Sequence, residues 1–419
     1  MSDSPEMRVP VLLVSNYFPP EVNALATRTY EHAREWVTGG GSVQVLTGVP
    51  HFPEGAVYEG YRNRFSREDV DGIDVYRVPM YVHANEGLLR RTLSYSSFML
   101  SAIWQSRRIA KPAVVVASSP QFFAGLAGYV ISRLKRVPFV LEVRDLWPES
   151  IVAVGAMRRN GMIKVLERIE QYLYHHADHI VVVAEPYRDH IESRGIEPNK
   201  ITVLPNGVDS GLFGRPLEQE RMAELRARLG LEGKFLVSYI GTVGMAHGAS
   251  VLLEAARLCT DPDVVFAVVG TGAERKKLEA DQALLSLPNF RLIEKQTREL
   301  VRYYYALTSV SVIHLRDLPL FRKVIPSKMF ESMAMGKPIV LGVEGEARRI
   351  LDQAQVGIAI KPDDVAGLLS AVQHLRDNPD VYRRMSANGP RFVREHYERK
   401  EIAREYWRLL ERISARRCG

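Results

Sequence analysis

Two cysteines in 419 residues, Cys259 and Cys418, cannot build a disulfide framework, and they fit a reducing compartment. No apolar run approaches the roughly 20 residues that a membrane-spanning helix needs, so the chain is not expected to cross a bilayer. The opening MSDSPEMRVPVLLVSNYFPP has an acidic lead, and its apolar run reaches a polar turn too soon for a signal peptide; a first strand is expected there instead. Low-complexity tracts and short internal repeats are also missing. What remains is ordinary globular composition, 46% hydrophobic and 25% charged, at a length that suits two or three domains with ample cores. The net charge of +7 favours anionic partners: nucleotides, acidic lipid surfaces or nucleic acid.

Strand-like runs alternate with helical ones. VPVLLVS, SVQVLTG, IDVYRVP, AVVVASS, PFVLEVRD, HIVVVAE and ITVLPNG fill the first half; FLVSYIG, VVFAVVG, FRLIEK, VSVIHL, KPIVLGV and GIAI fill the second. Apolar runs that are continuous, separated by helices, indicate parallel sheets covered on both faces. Two doubly wound α/β halves follow. The stretch between Asn206 and Gly233 carries Gly, Pro and a charged helix but no strand, so the division is expected at 206/207. The expected domains are 1–206, 207–390 and a terminal helix, 391–419, docking back on the first domain through Tyr397, Ile402, Tyr406, Leu409 and Leu410.

The stretch PSKMFESMAMGKPIV, Pro326 to Val340, carries chemistry. Ser327 suits an N-cap, and Gly336 with Pro338 suits a stop, giving a helix of about two turns. Lys328 then falls in the first turn, where the helix dipole disfavours a cation by up to about 1 kcal/mol. A phosphate beside the free amides would make sense of it. Glu331, one turn deeper, suits a sugar's vicinal hydroxyls. The alternative from the residues alone is an exposed Lys328–Glu331 pair at i, i+3 on a solvated face.

Several motifs in order resemble one family. NYFPPE after the first strand, LPNGVD (Leu204 to Asp209), YIGTVGMAHG, VVGTGAERKKLE and ESMAMGKPIV together resemble the family 4 glycosyltransferases of the GT-B fold, across nearly the whole chain. HFPEG (His51 to Gly55), RDLWPES (Arg144 to Ser150) and PSKMFE most resemble the bacterial branch that includes N-acetyl-L-fucosaminyl transferases of surface polysaccharide assembly. The resemblance implies two Rossmann-like domains facing across a cleft, the first on the acceptor side and the second binding a nucleotide sugar.

Carried over by position, Glu331 matches the glutamate that binds the nucleotide ribose. Gly241 matches the glycine that lets a loop approach the diphosphate, and the implied donor contacts extend to Thr242, Gly244, Gly248, Gly270, Gly272, Ser327 and Lys323. The pattern is altered at three of its charges. Thr242 stands where the family has arginine, His247 where it has lysine, and Lys323 where it has a second glutamate. Lys328 and the Ser327 amides are the candidates to supply the lost positive charge, with His247 helping either as a cation or as a neutral donor. In the first domain Asp145 matches an aspartate, preceded here by Arg144 in place of histidine. Glu21 and Asn23 lie where family members meet donor sugar or acceptor, although a polar loop with a helix cap explains them equally.

Other candidates carry less. Asp69 with Asp71, and Asp261 with Asp263, satisfy a metal-binding pattern so short that it arises by chance; no metal is expected to be required. His175, His176 and His179 end a helix, where histidine suits the dipole. GTGAER lacks the third glycine of a dinucleotide fingerprint. Leu88 to Lys111, with Leu93, Phe98, Met99, Leu100, Ile103 and Trp104 between arginines, reads equally as a core helix or as one lying in a membrane interface; Arg133, Lys135, Arg136, Arg158 and Arg159 add basic charge to the same half.

The expectation is a retaining, metal-independent glycosyltransferase with Lys328, Glu331, Asp145 and His247 at its reacting centre. It would move an N-acetylated hexosamine or deoxyhexosamine from a UDP-sugar to a lipid-linked saccharide. It would need no cofactor, bind no nucleic acid, and sit at the cytoplasmic face of an anionic membrane. A UDP-N-acetylhexosamine epimerase is the alternative enzyme. A catalytically silent membrane-surface scaffold is the alternative of another class, motivated by Thr242, His247 and Lys323.

Overall fold

A computed structural model describes residues 9–52, 54–83, 88–119, 122–153, 155 and 159–415. Cys418, Arg158, Arg417, Pro53 of the HFPEG motif and the residues ahead of Val9 lie outside it. The chain divides into two compact units, one of residues up to Pro205 together with those from Lys400, the other Asn206–Arg399.

The first unit is built on an eight-stranded sheet. In chain order its strands are β1 (Val11–Val14), β2 (Val43–Gly48), β3 (Ser66–Val70), β4 (Ile73–Val78), β5 (Val114–Ser118), β6 (Phe139–Val143), β7 (His179–Val182) and β8 (Ile201–Val203). They lie in the order β3-β4-β2-β1-β5-β6-β7-β8, and every pairing is parallel except β3 with β4. The central strands are buried along their whole length, as continuous Val and Leu runs require. β3 is different. Its sequence SREDV alternates in exposure, and it joins β4 through the two-residue turn Asp71-Gly72, both at positive φ (54° and 81°). That is the hairpin chemistry of an Asp-Gly pair. The sequence reading missed β3 because an edge strand facing water has no apolar run to find.

The last helix, Arg399–Ala415, packs on this unit. Ile402, Ala403, Tyr406, Leu409 and Leu410 join Val11, Leu13, Val45, Val116 and Trp36 in one core, and the Trp36 indole N–H donates to the Ala403 carbonyl at 2.7 Å. Truncating fully buried Leu410 to alanine would cost about 2–5 kcal/mol. The return begins at Lys400 and not at 391. Tyr397, expected in the docking stripe, instead stacks on Phe330 at 4.2 Å within the second unit, and Phe392 joins it there at 5.8 Å.

The second unit has a six-stranded, wholly parallel sheet. Its strands are β9 (Phe235–Ile240), β10 (Val264–Val269), β11 (Phe290–Ile293), β12 (Val310–His314), β13 (Ile339–Gly342) and β14 (Gly357–Ala359), in the order β11-β10-β9-β12-β13-β14. Chain direction across the sheet reverses between β9 and β12. A crevice opens outside the carboxyl ends at such a switch point, and ligands of open α/β sheets bind there. In the first unit the corresponding place lies between β1 and β5.

Candidate functional site

The switch point of the second unit gathers the residues singled out in the sequence. β9 ends at Ile240 and runs into the loop Gly241–Gly248. Gly241 has φ 144°, and a Cβ there would stand 3.1 Å from both Cε and Nζ of Lys328. Only glycine lets the lysine lie against the loop. The loop is braced from its other side by the turn after β10. Gly241 N–H donates to Val269 O and Val243 N–H to Thr271 O, both at 2.9 Å. Side chains at Gly270 or Gly272 would strike the carbonyls of Gly241 and Val243, at 1.8 and 2.3 Å. These two glycines thus serve the packing of loop on loop.

Lys328 begins the helix Lys328–Ala334. Its Nζ donates to the hydroxyl of Tyr239 and lies 3.7 Å from the centroid of that ring. The Tyr239 hydroxyl in turn donates to Thr242 O at 2.6 Å. Lysine, tyrosine and loop are therefore one chain of contacts. Burial pushes the Lys328 amine from 10.5 down to about 7, with Glu331 opposing. A cation held there at a cost is stabilised by an anionic ligand. Ser327 does not cap: it adopts helical angles (φ −59°, ψ −29°) and makes no side-chain cap bond, because the chain is already turning at Pro326, whose carbonyl receives Met329 N–H at 3.0 Å.

Glu331 does not pair with Lys328. Its Oε2 accepts the hydroxyl of fully buried Tyr305 at 2.9 Å, and burial raises its carboxyl pKa while Tyr305, Arg298 and Lys328 oppose. The surface-pair reading of these two residues is overturned, since each is half-buried and held by its own tyrosine. His247 belongs to the same loop, its Nδ1 buried without a hydrogen-bond partner. Burial first, and then the Lys328 charge, push its pKa down to about 3. The imidazole is neutral in the ligand-free protein, which favours the neutral of its two expected roles. Thr242 is exposed at the loop's edge, and Lys323 ends the short turn Pro319–Lys323.

Two residues here escaped the sequence reading. Tyr239 sits inside an apolar strand, where the only signal was that a buried hydroxyl needs a partner. His314, 1% exposed at the end of β12, donates from Nδ1 to His247 O and accepts Asp363 N–H at Nε2, both at 2.8 Å. Arg316 adds bonds to Met245 O at 2.7 Å and to Glu274 at 2.9 Å.

In the first unit the expected residues hold loops and helix ends. Glu21 is 2% exposed; Oε1 accepts the amides of His51 and Phe52 at 3.0 Å, and Oε2 that of Phe18 at 3.3 Å. Burial lifts it to about 7 against the pull of those amides. It ties two loops together. Asn23 caps the helix Ala24–Thr38, its Oδ1 accepting Leu25 and Ala26 N–H at 3.0 and 2.9 Å, as the bland reading held. Arg144 follows β6 and donates from Nη2 to Ala24 O at 2.9 Å; Nε and Nη1 are buried without partners, and burial lowers its pKa to about 10. Asp145 accepts the Ser150 hydroxyl at 2.9 Å, and burial raises its pKa.

Neither aspartate pair forms a ligand set. Asp69 accepts Gly72 N–H at 3.1 Å in the β3–β4 turn, and Asp71 accepts the Tyr30 hydroxyl. Asp261 pairs with Arg376, and Asp263 with Lys234 at 3.0 Å and Arg376 at 3.5 Å. His176 stacks on Tyr172 at 3.9 Å, and His179 bonds Thr202 at 2.8 Å.

Comparison with known proteins is consistent across the chain. Residues 23–207 match the model of a glycosyl transferase 4-like domain, and residues 222–392 that of glycosyl transferases group 1. The provisionally named colanic acid biosynthesis glycosyl transferase WcaI of Escherichia coli is 24% identical over 376 residues, covering 87% of this chain and 91% of its own. Among solved structures, sucrose-phosphate synthase of Thermosynechococcus elongatus aligns with a TM-score of 0.78 at 17% identity, over 97% of this chain and 100% of that one. HepE of Anabaena, solved in complex with UDP, aligns with a TM-score of 0.70 at 14% identity, over 96% and 99%.

Proposed function

The chain belongs to the family 4 glycosyltransferases of the GT-B fold, with both of that family's domains in order, and from this we propose that it transfers a sugar from a UDP-sugar to a lipid-linked saccharide in the assembly of a surface polysaccharide. The observation that carries the donor half is Lys328, half-buried and pressed against Gly241 at the switch point, with its amine held down to about 7. A diphosphate stabilises that charge. Glu331, set by Tyr305, supplies the acceptor for ribose hydroxyls. The loss of the second glutamate at Lys323 supports a donor sugar other than plain glucose or mannose, an N-acetylated hexosamine or deoxyhexosamine of the fucosaminyl kind.

The chemistry proposed is electrostatic. As the bond from the sugar's anomeric carbon to the diphosphate breaks, Lys328 and those amides of the Gly241–Gly248 loop that are not already bonded within the protein stabilise the charge gathering on the leaving oxygen. The acceptor hydroxyl attacks from the same face and gives its proton to that oxygen, so configuration is retained and no carboxylate nucleophile is used. His247, neutral, offers a hydrogen bond. On the acceptor side the reading rests on Arg144 and Asp145, whereas Glu21 and Asn23 shape the loops around them.

Surface-polysaccharide assembly is supported by the named role of WcaI; the lipid-linked acceptor and a place at the cytoplasmic membrane face are further parts of the proposal. Incubation with UDP-N-acetylhexosamines, with and without a membrane lipid extract, tests the reading. UDP release that depends on the extract supports transfer. Sugar interconversion without any acceptor would instead make the protein an epimerase, and absence of nucleotide binding would leave a scaffold.

A further inference from the structure

The helix Leu88–Gln105 of the first unit is apolar on two opposite faces. Tyr95, Phe98 and Ala102 are buried in the unit, whereas Leu93, Leu100 and Trp104 are 58%, 64% and 61% exposed. At about 100° per residue the three exposed side chains fall within about 40° of one another, roughly opposite the buried set. A helix that only serves a core has no use for the second stripe. A further exposed apolar side chain lies on the helix packed against this one. Lys135 donates to Ile109 O at 2.7 Å, which holds the end of the neighbouring helix, Phe122–Lys135, beside this one, and Leu134 there is 63% exposed.

Charge decides what covers this face. Between Glu86 and Glu142 the sequence contains no Asp or Glu and eight Arg and Lys. Exposed Arg90 precedes Leu93, and Arg107 follows Trp104, with its guanidinium carbon 3.4 Å from a Trp104 ring centroid. Apolar side chains bracketed by arginines are the pattern of a helix lying in a bilayer interface, where the apolar groups enter the acyl boundary and the cations meet phosphates. A second copy of the chain fits worse, because two such faces would set like charges against each other. The helix follows β4 and precedes β5, so it runs from the carboxyl edge of the sheet, where Arg144 and Asp145 follow β6, back to the amino edge.

We propose that Leu93, Leu100, Trp104 and Leu134, with Arg90 and Arg107, form the face by which the first unit docks on an anionic lipid bilayer. The purpose of the docking, delivery of a lipid-linked acceptor to the carboxyl edge, rests on the function proposed above; the docking itself does not. Flotation with phosphatidylcholine vesicles, with and without about 30% phosphatidylglycerol, tests it at about 50 and 500 mM salt. The wild-type chain is expected to float with the anionic vesicles at least tenfold more than with the neutral ones at low salt. The variant Leu93→Ser/Leu100→Ser/Trp104→Ser is expected to lose that binding more than tenfold, with its melting temperature and UDP affinity unchanged. Arg90→Glu/Arg107→Glu, which leaves the apolar stripe intact, is expected to lose the preference for anionic lipid. Wild-type protein that stays unbound at low salt, serine or glutamate variants that float as well as wild type, or a wild-type dimer that the serine variant turns into a monomer would each overturn the proposal. Failure of the wild-type chain to bind UDP would strike the donor reading alone.

Discussion

His314 donates its Nδ1–H to the carbonyl of His247 at 2.8 Å, and with the bonds from Arg316 to Met245 O and Ala246 O it ties the loop after β9 to the end of β12. The carbonyl can only accept and the amide of Asp363 can only donate, so Nδ1 carries the proton and Nε2 is bare. The ring is neutral, and burial holds its pKa down. Gly248 and Gly342 make room for it; a Cβ on either would come within 2.9 Å of the ring.

His314→Phe keeps an aromatic side chain, slightly larger than the imidazole, and removes both bonds, leaving the His247 carbonyl and the Asp363 amide without their partner. Stability should fall by about 2–4 kcal/mol in urea denaturation. If the loop's shape matters for the donor, UDP affinity in calorimetry should fall roughly tenfold as well. A variant that is destabilised yet binds UDP normally would make His314 a core residue and nothing more.

Glu331→Gln should weaken UDP binding by about 1–3 kcal/mol, since the ribose hydroxyls lose a charged acceptor. The fold should hold, because the amide oxygen still accepts from Tyr305. Unchanged affinity would remove Glu331 from the nucleotide site.

The parallel sheets were legible because their strands are continuous apolar runs, which fully buried strands must be. β3 was not, being polar and at the edge. Lys328 could be read as a misplaced cation, and the tyrosine that holds it could not: Tyr239 reaches Lys328 only because Gly241 leaves the space between β9 and the helix open. His314 is silent in the sequence for a similar reason, since the order of strands is what sets β12 beside β9. The tie that Glu21 makes was not legible, because the amides it binds belong partly to His51 and Phe52, a loop thirty residues away. Residue patterns report burial and local turns well. They do not report which distant loop a carboxylate will tie down.

Transfer activity should persist in EDTA. In the proposed mechanism Lys328 supplies the charge that neutralises a diphosphate, while Asp261 and Asp263 are engaged by Arg376 and Lys234, and Asp69 and Asp71 are spent on a turn and on Tyr30. Complete loss of activity in chelator, restored by manganese or magnesium, would contradict this.

The last prediction separates the two roles of Lys328. Its amine titrates near 7 in the nucleotide-free protein and near 10.5 in an unfolded chain, so the folded state binds this proton more weakly. Burial of the charge therefore costs stability in full below pH 7, and the cost fades as pH rises from 7 towards 10.5. Lys328→Met should raise the melting temperature of the free protein at pH 6 by roughly 2–4 °C, about 1 kcal/mol, and the gain should shrink by pH 9. Turnover should fall by on the order of 10², because the amine's contact strengthens as the leaving group gains charge. In the wild-type enzyme a bound UDP-sugar should hold the amine protonated, so binding at pH 8 takes up close to one proton, visible as a buffer-dependent heat in calorimetry. Affinity should then be flat below pH 7 and weaken above it. Turnover at the wild-type level in the methionine variant, or binding heats independent of buffer, would place the phosphate elsewhere than at Lys328.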